Sequence, residues 1–131
     1  MNISKIIFSF SALLFSSLTI AQDVFPYMDN VGFMRSFQNG YSRQVEFLPP
    51  VDVKFSEKII AYIDNKNDFF IYDGKEKEMI SNMASSYQIG YHIAAWNTGP
   101  IVNVWDNGKK RTLTRFGRNF LFQIAWLFSR I

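Results

Sequence analysis

The segment Asp64-Asn65-Lys66-Asn67-Asp68 gathers enough side-chain oxygen to suggest cation binding. A calcium loop of the D-x-[DN]-x-[DN]-G kind needs acids or amides at its first, third and fifth positions, because the hard cation draws oxygen ligands from alternate residues. Lys66 holds the third position here, and the glycine is missing. A turn in which Asn and Asp tolerate left-handed φ is therefore the expectation, with no metal. His92 is the only histidine. A Ser-His-acid triad needs a nucleophile held against the imidazole, and no motif in the chain marks such a serine. Glu46, Glu57, Asp73, Glu76, Glu78 and Asp106 could supply two carboxyls for glycoside hydrolysis, a chemistry set by their separation across a cleft. Asp73 and Asp106 fall in what reads as the same turn of successive repeats, which points to a structural role. No catalytic residue is assigned, and the chain is expected to be a non-enzyme without a cofactor.

Aromatic and basic side chains are the other candidates. Trp96, Trp105 and Tyr72, with Tyr62 and Trp126, could stack on sugar rings. Their recurrence at matching places favours core packing instead, because aromatics dominate core burial. Lys109-Lys110-Arg111, with Arg115 and Arg118, forms the most basic patch. Nucleic-acid binding would combine such charge with stacking aromatics. A solvated strand after a turn accounts for the patch, and no nucleic-acid partner is expected.

These residues sit on a repeat, and a recurring period has to be recognised before any other reading. KIIAYIDNKNDFFIYDGKEKEMI, from Lys58 to Ile80, is echoed by HIAAWNTGPIVNVWDNGKKRTL, from His92 to Leu113. Ala61-Tyr62 corresponds to Ala95-Trp96, Gly74 to Gly108 and Met79 to Leu113, each 34 residues on, and Tyr72 to Trp105, 33 on. Gly40 and Val45 precede Gly74 and Met79 by the same 34 residues, which makes three units. Within the first, Phe33, Arg35 and Phe37 alternate with Met34 and Ser36, and Asn39-Gly40 is a strong signal for a type I′ hairpin. Pro26 argues against a central strand near the start, and Pro49-Pro50 closes the first unit. Tyr87 to Ile89 reads as a short outer strand. Short strands, frequent turns and no sustained helical periodicity predict an all-β antiparallel meander of blade-like repeats over residues 22–118.

Composition agrees with packed strands. Aromatics reach 18% and charged residues only 19%, and aromatic side chains suit a half-buried pleated surface. The chain has no cysteine, so a disulfide framework and thiolate chemistry are excluded. Residues 1–21 read as a signal peptide: Lys5 gives the basic start, Ile6 to Ile20 the apolar run, and Thr19-Ile20-Ala21 a small-x-small cleavage site. The run is shorter than the roughly 20 apolar residues of a spanning helix and is broken by serines. Export to the periplasm, the cell surface or the medium is the expectation, with no transmembrane span in the mature chain. Removing Lys5 takes one charge from a net +3, leaving a nearly neutral chain. Residues 119–131 form an apolar tail whose Ile124-Ala125-Trp126 echoes Ala94-Ala95-Trp96, as in a truncated further unit.

QVEFLPP (Gln44 to Pro50), IIAYIDNKNDFFIYDGK (Ile59 to Lys75) and VWDNGKKRTL (Val104 to Leu113) resemble a group of secreted bacterial repeat proteins with β-propeller-like blades. The resemblance spans Asp29 to Arg118 and implies the fold and export, but carries no catalytic residues. A blade cannot bury its faces without neighbours, and closed propellers use 4 to 8 four-stranded blades as a rule. Three units predict a partial propeller. Ile60, Tyr62, Phe69, Ile71, Ala94, Trp96, Val102 and Val104 are the expected inward positions. An open sheet edge invites self-association. The functional expectation is an exported, non-catalytic interaction or structural module whose partner is a protein or a cell-surface glycan. The alternative is a carbohydrate-binding or glycan-active surface protein.

Overall fold

The computed structural model describes residues 23–117. The signal-peptide reading of residues 1–21 and the tail reading of 119–131 fall outside them, as do Arg118 and Trp126.

Eleven strands and no helix are found among the described residues, in three antiparallel sheets. The first contains β1 (Phe25–Met28), β2 (Met34–Gln38) and β3 (Tyr41–Glu46). The second runs β4 (Asp52–Phe55), β5 (Ile60–Ile63), β6 (Phe69–Tyr72) and β7 (Lys77–Ser81), each strand pairing with the next. The third repeats that order with β8 (Ser86–Ile89), β9 (Ile93–Thr98), β10 (Ile101–Asp106) and β11 (Lys109–Thr114). This is the expected all-β meander, with open sheets. No helix is long and apolar enough to cross a membrane among the described residues.

Turn chemistry sets the register. Asn39-Gly40 and Asn107-Gly108 have positive φ at both residues, as a type I′ hairpin demands. They join Gln38 to Tyr41 and Asp106 to Lys109 with two-residue loops. Asp73-Gly74 behaves differently. Tyr72 pairs with Lys77, so the loop has four residues, closed by the Asp73 N–H donating to the Glu76 carbonyl at 3.2 Å. Asp73 and Asp106 are therefore not equivalent: the first caps a loop, while the second ends a strand opposite Lys109.

The pairs Phe25–Phe37, Ile60–Tyr72 and Ala94–Trp105 stand at the same place in the three sheets. All eight expected inward residues are buried, but they do not share one face. Ile60 and Tyr62 turn towards the first sheet, where Val24, Met34 and Val45 meet them. Phe69 and Ile71 turn the other way, onto Ala94, Trp96 and Trp105 of the third sheet. Ala95, Val102 and Val104 form a third buried cluster beyond. Strand alternation puts successive residues on opposite faces, so a sheet covered on both sides buries a continuous run such as Ile59 to Tyr62. Val45 is buried while Met79 is half exposed, because the strand-end pairings make Ile80 its counterpart. The first strands of neighbouring sheets approach closely. Lys54 Nζ donates to the Tyr87 carbonyl at 2.7 Å, and Phe25 meets Phe55 edge-on at 5.2 Å. β8 is the short edge strand of its sheet, as expected, and it lies against β4, the edge strand of the second sheet.

Candidate functional site

The candidate cation loop is built as a turn. Asp64 Oδ1 accepts the N–H groups of Lys66 and Asp68, both at 2.8 Å, and Asn67 adopts φ 67°. One of its two carboxylate oxygens is thereby committed to the backbone. The same loop occurs once more, unnoticed in the sequence reading. Asp29 Oδ1 accepts from Val31 and Phe33 at 2.9 Å, and both loops close by an Asp N–H to a carbonyl four residues on. The signal was available: Asp29 lies one residue beyond an even repeat of Asp64, with Gly32 where Asn67 supplies positive φ. Asp29 also binds Arg35 Nε at 2.7 Å, and this hydrogen bond, with that of the Phe33 N–H, holds its carboxyl below the usual range.

His92 is exposed and stands 3.5 Å from Asp106, with no serine hydroxyl against it among the described hydrogen bonds. Two of the carboxylates bridge neighbouring sheets. Glu46 accepts from the Tyr62 hydroxyl at 2.6 Å and from Lys77 at 2.9 Å, while Glu78 accepts from Trp105 Nε1 at 3.1 Å and Lys110 at 3.0 Å. Of the basic patch, Lys110 is thus paired, and Lys109 and Arg111 lie exposed on β11.

Tyr72, Trp96 and Trp105 are 6%, 4% and 3% exposed, and Trp105 also lines a surface cleft. They pack between sheets, and the polar atoms of Tyr72 and Trp105 reach back to the preceding sheet. The Ser36 hydroxyl donates to the Tyr72 oxygen at 3.3 Å, Trp105 Nε1 reaches Glu78, and the Trp96 ring lies 5.8 Å from Phe69. Tyr62 does the same through Glu46. A buried aromatic with a satisfied polar tip fixes both distance and register between sheets.

That rule exposes an exception. Phe25, Tyr27, Arg35 and Phe37 occupy, in the first sheet, the positions of Ile60, Tyr62, Phe70 and Tyr72 in the second. No preceding sheet covers them among the described residues: Phe25 is 55% and Phe37 48% exposed. Their alternation with buried Met34 and Ser36 was legible in the sequence, but not which set faced out.

Three sheets of one strand order, stacked face to face, are successive blades. The family model of the 10-bladed beta propeller domain matches residues 18–124. The chain belongs to that family. No curated protein and no solved structure matches it. Within this chain, the second and third blades have four strands each, and the first has three among the described residues.

Proposed function

We propose that this propeller chain is an exported, non-catalytic interaction module, and that the outer face of its first blade docks a further blade from a second copy. The observation that supports the reading is the equivalence just described. Every aromatic of this class in the second and third blades is covered by the blade before it, while Phe25, Tyr27 and Phe37 face outwards. Contiguous exposed apolar surface rimmed by polar residues marks an interaction site, and on this face Arg35 stands opposite Tyr27 and Ser42 opposite Phe37. Head-to-tail docking of this kind is heterologous, and closes into rings or runs on into filaments according to its rotation. The signal-peptide pattern of residues 1–21 supports export.

The experiment is light scattering against concentration for the wild type and for Phe37→Lys. Association that the substitution abolishes, in a variant with unchanged strand content, is the expected result. A wild type that stays monomeric at every concentration overturns the docking. For export, the expected outcome is an extracytoplasmic chain that begins at Gln22, read by N-terminal sequencing.

A further inference from the structure

A cleft of about 380 Å³ opens between the second and third blades, where the β4–β5, β6–β7 and β8–β9 turns meet. Its floor is apolar, made by buried Ile59 and Trp105. Its rim carries Lys58, Asp73, Lys75, Tyr91, His92 and Asn107. The size lies within the usual range for small-ligand pockets, roughly 300 to 1,000 Å³.

The rim is organised by one side chain. Ser56 Oγ donates to the Tyr91 carbonyl at 2.6 Å, which ties a turn of the second blade to a turn of the third. The same oxygen accepts the N–H groups of Lys58 at 3.3 Å and Ile59 at 3.2 Å. Lys58 Nζ thereby stands 5.7 Å over the Tyr91 ring. Among the described residues, neither Lys58 nor Lys75 has a carboxylate within ion-pair distance. Two acids are near: Asp73, which lines the cleft with one carboxylate oxygen turned to its own loop, and Asp106. Asp73 Oδ1 accepts the Lys75 and Glu76 N–H groups at 2.9 and 2.8 Å, and Asp106 faces His92.

The cleft is not a by-product of the repeat. At the equivalent junction between the first and second blades the space is filled. A Cβ on Gly74 would lie 3.0 Å from the Gln38 side-chain amide and 3.0 Å from Val24, and the Val24 N–H donates to the Glu57 carbonyl at 3.0 Å. An opening kept at one junction, with two lysines that have no ion-pair partner among the described residues and a half-exposed tyrosine ring beside them, has the features of a ligand site.

We propose that this cleft binds an acidic monosaccharide unit, a pyranose bearing a carboxylate. The two ammonium groups attract the carboxylate as point charges. The Tyr91 ring, 45% exposed, offers an amphipathic face for the sugar C–H surface. His92 and Asn107 at the rim can hydrogen-bond hydroxyls. This site involves none of the residues of the first blade's outer face, so it stands or falls separately from the docking reading.

The test is an amide NMR titration of the intact protein with glucuronate, with glucose and acetate as parallel probes. The expected result is saturable shifts at Lys58, Lys75, Tyr91 and His92, with glucuronate at least tenfold tighter than either comparison compound. Replacing both lysines by glutamine is expected to weaken glucuronate at least tenfold with the melting temperature unchanged, while the double arginine variant retains binding. Absence of saturable shifts overturns the site, as does an equal response to glucose or undiminished binding in the glutamine variant. Acetate binding as tightly as glucuronate would leave a plain carboxylate site and overturn the sugar assignment.

Discussion

Tyr62 shows how single residues carry this architecture. It is fully buried on β5, its ring stacks on Phe70 at 5.4 Å, and its hydroxyl donates to Glu46 of the neighbouring blade. A hydrogen bond to a charged group contributes about 1.5–3 kcal/mol. Tyr62→Phe is expected to lower the unfolding free energy by about that amount in a denaturant titration, and Phe70→Leu by less. Burial pushes the Tyr62 hydroxyl far above its ordinary value, and its bond to Glu46 adds to the shift. Burial does the same to Tyr87, helped by Asp52. Both folded-state values are raised, so the stability they contribute is intact below the ordinary tyrosine value of 10.0 and is lost as pH rises beyond it, where the unfolded chain ionises. Unfolding followed by far-UV circular dichroism should therefore set in above about pH 10, and at higher pH in Tyr62→Phe relative to its own neutral stability. At the acid end, Asp29 has a lowered value, so its contribution holds above the ordinary 3.8 and is lost as pH falls below it.

At the scale of the element, turns and alternation were the legible part. Asn39-Gly40 and Asn107-Gly108 announced two-residue hairpins, and Asp64 to Asp68 announced a turn, because each depends on local backbone chemistry. The four-residue loop after Tyr72 was not legible, since Asp73-Gly74 carries the same letters as a tight hairpin and only the pairing with Lys77 distinguishes them. The face of each strand was likewise hidden. Ile60 and Phe69 are equally apolar, and only their neighbours assign them to opposite sides. The cleft residues Ser56, Lys58, Lys75 and Tyr91 left no motif, because three separate turns bring them together. Gly74 combines φ +91° with close approach to Gln38 and Val24. Gly74→Ala is expected to cost about 1–3 kcal/mol, measured by thermal or urea unfolding. Asp64→Ala, which frees two backbone N–H groups, is expected to cost about 1 kcal/mol for each lost bond. Asp64→Asn should recover most of it.

For the whole molecule, the repeat rather than any single site determines what the chain can do. Its blades join through large aromatics that a β-propeller buries between sheets, so Trp96→Ala is expected to destabilise the fold by about 3–5 kcal/mol. Loss of any binding in that variant would therefore report unfolding, whereas Phe37→Lys touches only the exposed face. In the docking proposed above, this face is an unfilled blade junction. Sedimentation equilibrium of the intact chain and of Phe37→Lys, over a hundredfold range of concentration, tests it most directly. The wild-type mass is expected to climb above the monomer with concentration, and the variant to stay monomeric while folded. A wild type that remains a monomer throughout, or a variant that associates equally well, would contradict it.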